Sequence, residues 1–233
     1  MLKIKMKKTV VISLGGSLIV PEKTDFKFLS KFKRELRKYY PSHRFVVVCG
    51  GGTIARRYIS ALRKEGKSKK ELANAGIKAT RMNATFMIQF FGKEANDSLP
   101  KNMKEIKSNL SKNNVVICGA LRYAPNSTSD GTAAKLASFL KTEFINMTNV
   151  KGLYTANPRT HKNAKFIPEI SWVEFEKRAL KLKFKAAQHF VLDQQASVII
   201  RRDKITTYII GPNPENLNKI LKCGKFTGTL IEG

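Results

Sequence analysis

"VVVCGGGTIARRYI", residues 46–59, sets four apolar residues before three glycines and then, within one helical turn, Arg56 and Arg57. A short apolar run that stops at glycine reads as a buried strand, and the apolar spacing after it reads as a helix. Glycine admits positive φ and lets backbone N–H groups approach a ligand closely. A helix start beside such a turn adds partial positive charge, so phosphate oxygens bind well there. The plainer reading is a tight β–α turn with surface arginines. A second junction, "ISLGGSL" at residues 12–18, has the same form. Neither turn carries the G-x-x-x-x-G-K-[ST] or the G-x-G-x-x-G pattern. Two such turns, each after an apolar strand, suit two phosphate-bearing substrates.

Working outward, strand and helix patterns alternate. Residues 9–14 ("TVVISL"), 44–49 ("RFVVVC"), 114–119 ("NVVICG") and 143–150 ("EFINMTNV") read as strands. Residues 26–40, 54–66, 77–92 and 129–140 have helical spacing, and in residues 77–92 the buried stripe is expected at Met82, Phe86, Ile88 and Phe90. A polar, lysine-rich helix precedes the third strand. Beyond residue 150 comes a long irregular stretch with two prolines, then helices at 171–184, 193–202 and 213–222 around strands at 205–211 and 227–233. Alternation of this kind predicts a mainly parallel sheet covered by helices, an α/β fold. The change of texture near Val150 and Lys151 marks two lobes of one domain, residues 1–150 and 151–233.

The 233 residues, 42% of them hydrophobic, are enough for one sizeable core. No apolar run reaches the roughly 20 residues needed to span a bilayer. The basic, apolar start imitates a secretory leader, but Gly15, Gly16 and Ser17 interrupt it and no small-residue cleavage site follows. A strand running into a turn is the better reading. Cys49, Cys118 and Cys223 are odd in number and form no metal-binding spacing. The first two read as buried thiols of a cytoplasmic protein. His43, His161 and His189 are scattered, which argues against a histidine metal centre. The formal charge of +27 favours polyanions. Yet the cations are spread along the chain without a basic tail or a nucleic-acid-binding signature. Nucleic acid is therefore not the favoured partner, and attraction of small anionic substrates accounts for the charge equally well.

Seven segments in order carry a resemblance: "ISLGGS", "VVVCGGGTIARRYI", "GIKATRMNA", "STSDGTAAKLASFL", "MTNVKGLYTANPR", "LDQQASVII" and "GTLIEG". Together they resemble the amino-acid kinase family, and most of all its archaeal-type uridylate (UMP) kinase branch. The resemblance covers nearly the whole chain. It implies a three-layer αβα sandwich with a mainly parallel central sheet. It implies ATP-dependent phosphorylation of UMP to UDP, with Mg²⁺, in a cytoplasmic homo-oligomer, commonly a hexamer. The N-terminal lobe would bind the acceptor and the C-terminal lobe ATP. Gly15, Gly16 and Ser17 would cradle the transferred phosphoryl group. Gly51, Gly52 and Arg56 would hold the UMP phosphate. Gly76, Thr80, Arg81 and Asn83 would shape the nucleoside pocket, and Thr128, Ser129 and Asp130 would close it. Thr148, Asn149, Tyr154, Asn157 and Pro158 would contact ATP. Asp193 would orient the catalytic groups and Mg²⁺-ATP.

Four positions depart from the family pattern. Ser13 stands where many members have lysine, Lys151 replaces the acid of "NVDG", and Asn157 replaces the acid of "YTADP". Ala73 replaces the aspartate that would bind the ribose hydroxyls, which opens the choice of acceptor to another small phosphate or a carboxylate. Neighbouring Asn74 is expected to take over one hydroxyl. Lys7, Lys8 or Lys151 are the candidates for the missing positive charge. A homologue that binds nucleotide or RNA with weakened turnover is the remaining alternative.

Overall fold

The structure, a computed structural model, describes residues 7–123, 128–158, 160–181 and 191–233. The chain begins with β1 (Lys8–Leu14), whose last five residues are all buried. A run apolar on both faces belongs in the middle of a covered parallel sheet. After it come α1 (Gly16–Ile19), α2 (Phe26–Arg37), β2 (His43–Cys49), α3 (Gly52–Lys64) and α4 (Lys69–Phe91). The helix α5 (Met103–Lys112), β3 (Val115–Cys118), α6 (Ser129–Leu140) and β4 (Phe144–Met147) complete the first half. The second half holds β5 (Leu153–Tyr154), β6 (Phe166–Ile167), β7 (Glu169–Ile170), α7 (Trp172–Lys181), α8 (Gln194–Arg202), β8 (Thr207–Ile210), α9 (Glu215–Leu221) and β9 (Gly228–Ile231).

Seven strands form one sheet in the order β3-β2-β1-β4-β8-β9-β7, while β5 and β6 pair as a small antiparallel ribbon. All neighbours in the large sheet are parallel except β8 and β9. Alternate strand residues supply the two core layers. Val10, Ile12, Leu14, Phe45 and Val47 face α2, α4 and α9, whereas Val11, Val46 and Val48 face α5, α6, α7 and α8. This is the expected three-layer αβα sandwich. Both layers draw on both halves of the chain: Ile210, Leu217 and Ile220 lie in the first, Ile209 and Ile231 in the second.

Two expectations are corrected. The helix α4 begins at Lys69, two turns before the predicted start, with Ser68 and Glu71 forming a capping box. That places its buried stripe at Thr80, Asn83, Ala84, Met87, Ile88 and Phe91. Of the four stripe residues expected, Ile88 is buried, Phe86 and Phe90 are half-buried, and Met82 points to solvent, 47% exposed. The 3.6-residue repeat fixes spacing but not phase, and the sheet chose the phase. The stretch after residue 150, expected to be irregular, contains three short strands. The expected continuation of α7 over residues 182–184 lies outside the described residues.

The chain steps from β1 through β2 to β3, then returns to β4 on the other side of β1. Such a reversal opens a crevice at the carboxyl ends of the strands, where α/β sheets take their ligands. Leu14 is in register with Cys49 and Met147, and Met147 with Ile210. Gly15, Gly50, Thr148 and Gly211 therefore leave the sheet at one level.

Candidate functional site

The two glycine turns touch each other. A Cβ on Gly16 would lie 2.3 Å from the Gly52 nitrogen and 2.4 Å from the Gly50 oxygen. One on Gly52, whose φ is +58°, would lie 2.4 Å from the Gly16 carbonyl carbon. No side chain of any kind fits between these backbones, so glycine is demanded on both sides. Gly50 N–H donates to Leu14 (2.9 Å) and Gly15 N–H to Met147 (2.9 Å), which ties both turns to the strand ends. Neither α1 nor α3 has a side-chain cap at its start. The N–H groups at both helix starts thus have no side-chain acceptor, and uncapped N–H groups of this kind suit an anion.

Arg56 lies on α3 one turn beyond Gly52. Its Nη2 donates to Thr53 Oγ1 at 2.9 Å, and partial burial lowers its pKa. It lines a shallow groove of about 510 Å³ on the outer face of α3, with Thr53, Arg57, Ser60, Ala61 and Lys64.

The predicted pocket residues on α4 have backbone partners. Asn83 Nδ2 donates to Gly50 O (2.7 Å). Thr80 Oγ1 donates to Ile77 O (2.7 Å) and accepts from Ala120 N–H (2.9 Å). Arg81 Nε donates to Ala120 O (3.1 Å) and its Nη2 to Leu121 O. Gly119 sits so close to Thr80 that a Cβ would be 2.8 Å from its hydroxyl. The buried Thr80 and Asn83 thus hold the second glycine turn and the loop after β3 from behind. Gly76 faces Ile59, and its carbonyl lies over Gly51. Ala73, half-buried, falls on the same helix face as Gly76 and Thr80, spaced i, i+3 and i+7. Asn74 points to solvent with Lys78, Arg81 and Thr85, which removes the support for its expected role at the ribose.

Asp193 and Asp130 meet at the start of α6. Asp193, 8% exposed, accepts four hydrogen bonds. Its Oδ1 caps α8 through Ala196 N–H (2.7 Å). Its Oδ2 takes Thr128 N–H (2.7 Å), Thr128 Oγ1 (2.7 Å) and Gly131 N–H (3.1 Å). One carboxylate thereby fastens two helix starts together. Thr128 in turn caps α6 through Asp130 N–H (3.2 Å). Ser129 begins that helix, half-buried. Asp130 Oδ1 accepts from Ser13 Oγ at 2.7 Å. Burial and, next, the charge of Asp193 raise the Asp130 carboxyl to about 7, although the Ser13 hydrogen bond opposes them.

On the other side of β1, Thr148 N–H donates to Ile210 O (2.9 Å). Asn149 follows it, and Tyr154 on β5 packs edge-on against Phe166 with ring centres 5.4 Å apart. Asn157 and Pro158 are exposed, in the turn whose Asn157 carbonyl takes His161 N–H (2.9 Å). Neighbouring strands lie ~4.8 Å apart, so Gly50 and Thr148 flank the Gly15 turn with about 10 Å between them. Lys151 is exposed beside this edge, and a Cβ on Gly211 would meet its Cα at 3.3 Å. Lys7 and Lys8 sit elsewhere. Lys8 pairs with Glu143 (2.9 Å) and Lys7 with Asn114 (3.3 Å), at the opposite end of a strand ~20 Å long. Neither supplies charge to the crevice.

Ser13 and Asn146 were not singled out as site residues by the sequence. They are in register on β1 and β4, 1% and 2% exposed. Asn146 Nδ2 holds the Val191 carbonyl just before Asp193. A usable signal existed, because a polar residue inside a strand buried on both faces must find a partner. Cys49 and Cys118 are buried free thiols as expected, and Cys223 is exposed. Among the described residues no three histidines, cysteines or acids converge, and no helix is long and apolar enough to cross a membrane. His189 lies outside them.

The amino acid kinase family profile matches residues 8–211. A uridylate kinase of Archaeoglobus fulgidus is 35% identical over 95% of this chain and 99% of that protein. One of Thermococcus kodakarensis is 32% identical over 96% and 99%. The crystal structure of the Archaeoglobus fulgidus uridylate kinase superposes with a TM-score of 0.82, covering 97% of this chain and 100% of that one. The UMP kinase of Ureaplasma parvum shares the fold at 18% identity, TM-score 0.77. A crevice built from two interlocked glycine turns at level strand ends, in a chain matched over nearly its full length, makes this protein a member of the amino acid kinase family.

Proposed function

We propose that the chain transfers the γ-phosphoryl group of ATP to UMP, giving UDP for pyrimidine nucleotide synthesis. The observation that carries this reading is the contact between the Gly15–Gly16 and Gly50–Gly52 turns. Phosphoryl transfer asks the protein mainly to hold two anions in line and to compensate charge on the equatorial oxygens. One continuous set of backbone N–H groups does both, for the transferred group at Gly15, Gly16 and Ser17 and for the acceptor phosphate at Gly51 and Gly52. Arg56 adds a full positive charge on the acceptor side. Thr148, Asn149, Tyr154, Asn157 and Pro158 serve ATP on the side of β1 opposite the Gly50–Gly52 turn. Residues 1–150 then act as the acceptor lobe and 151–233 as the ATP lobe. Mg²⁺ would be held chiefly by the ATP phosphates, whose charge it would neutralise. Asp193 acts as a positioning residue, since its carboxylate is spent on two helix starts. Asp130, tied to Ser13 at the end of β1, would close the acceptor pocket at the start of α6. A cytoplasmic homo-oligomer, a hexamer, completes the proposal by family resemblance.

The acceptor is tested by a coupled assay with ATP and UMP, dUMP, CMP or AMP. UMP should be phosphorylated well ahead of CMP and AMP, and dUMP rejected only weakly, because Ala73 cannot accept from ribose hydroxyls. Ala73→Asp should raise the UMP-over-dUMP ratio. A folded protein that binds ATP and phosphorylates no nucleoside monophosphate would sink the UMP assignment.

A further inference from the structure

The groove between α2 and the end of α4, lined by none of the residues assigned above, combines rings and cations. It has a volume of about 410 Å³ and is lined by Phe26, Ser30, Lys33, Arg34, Arg37 and Phe90. Phe26 is 70% exposed at its rim, edge-on to Phe90 with ring centres 6.1 Å apart. A phenylalanine left so bare at a helix start does nothing for the core. Beneath it, Lys33 Nζ lies 5.7 Å and 5.3 Å from the centres of the Phe90 and Phe91 rings.

The charge balance of the groove is positive. Lys33 (3.0 Å) and Arg37 share a single acid, Glu94. Burial works to raise that carboxyl, but hydrogen bonds from Arg37, Lys33 and Tyr40 hold it at about 2, so it stays ionised and offsets only one of the two cations. Arg34 makes no ion pair among the described residues, nor does Lys27. Lys27, Lys31, Arg34 and Lys38 repeat at i, i+4, i+7 and i+11 and form one basic stripe beside the groove. Lys31 and Lys38 are paired, with Glu215 and Glu35. The helix from Phe26 to Arg37 gives this track a length of about 17 Å. The +27 charge of the whole chain surrounds it with an attractive field for polyanions.

We propose that this groove binds single-stranded nucleic acid, with Phe26 as the base-stacking platform and Arg34 and Arg37, with Lys27 on the stripe beside them, along the phosphates, while Lys33, which donates to the Phe90 (3.0 Å) and Phe91 (2.9 Å) carbonyls and to Glu94, braces the groove floor. Bases stack on aromatic faces without regard to sequence, and a cationic groove follows the backbone. The alternatives fit less well. A small anion has no use for Phe26. A membrane surface asks for a protruding apolar face, whereas only two rings border a concave groove here.

The test uses fluorescence anisotropy with labelled RNA and DNA strands of about 12 nucleotides, over roughly 50–200 mM KCl. Affinity for at least one strand should fall with salt at a logarithmic slope of about −2, as for about three phosphates on a single strand. Phe26→Ala should weaken that binding about tenfold while leaving binding of inorganic polyphosphate unchanged. Arg34→Glu should weaken both probes and flatten the salt slope. Lys177→Glu, the same charge change on exposed α7, should alter affinity by no more than about twofold. Phe26→Ala should phosphorylate UMP at the wild-type rate, which reports its fold independently of the groove. The proposal is overturned if neither strand binds, or if Phe26→Ala leaves strand affinity intact. It is equally overturned if Lys177→Glu weakens binding as much as Arg34→Glu, or if phosphatidylserine vesicles and not the strands capture the protein through Phe26.

Discussion

Ser13 and Asp130, 117 positions apart, are joined by a 2.7 Å hydrogen bond where β1 meets the first turn of α6. The hydroxyl is 1% exposed and donates to a carboxyl whose pKa is raised to about 7. An acid whose folded pKa exceeds its unfolded value of 3.8 binds its proton more tightly when folded. The folded state therefore loses stability as pH rises from about 4 to 7 and is level above that. Asp130→Asn should abolish this loss and gain on the order of 3 kcal/mol over wild type at pH 8 relative to pH 4, read by urea melts. Ser13→Ala should move the Asp130 midpoint further up in a carboxyl carbon NMR titration, because the hydrogen bond holds it down. An unchanged midpoint would show that the hydroxyl does not touch the ionised acid.

Asp193→Asn sets an amide NH2 against donors whichever way it turns, facing either Ala196 N–H or the Thr128 and Gly131 groups. Buried donors then lose their acceptor, at roughly 2–4 kcal/mol for the set. Both thermal stability and kcat should drop, kcat by about a hundredfold, since Asp130 rides on the same helix start. Retained turnover with lowered melting temperature would confine Asp193 to a purely structural part.

Gly16→Ala and Gly76→Ala separate close backbone contact from ordinary packing. The first would put a methyl 2.3 Å from Gly52 N; the second would put one 3.4 Å from the end of Ile59. The first variant should lose phosphoryl transfer and much of its stability. The second should melt within a few degrees of wild type. Comparable damage from both would deny the interlocked turns.

Arg56→Ala tests the acceptor side. Loss of a charge-assisted contact of about 1.5–3 kcal/mol should raise the UMP KM roughly ten- to hundredfold and leave the ATP KM nearly unchanged. Equal rises for both substrates would refute the division into acceptor and donor sides.

Much of this protein was legible in its local pattern. The strands and helices alternate in the sequence as they do in space, and the helix read at 129–140 is the observed Ser129–Leu140. Such features depend on side-chain periodicity and end signals carried within a few residues. The two glycine turns were visible in the same way. Their contact was not, because Gly16 and Gly52 meet only through the pairing of β1 with β2. The tertiary structure also decided the phase of α4, which turned Met82 outward and sent Thr80 and Asn83 to the backbone behind the turn. It removed Lys7 and Lys8 from the crevice, since the length of β1 separates them from Gly15. It made Ser13 a partner of Asp130 and Asn146 a support for the loop before Asp193. A single chain declares which residues are apolar, flexible or charged; which of the distant polar ones share a hydrogen bond is settled by strand order and register.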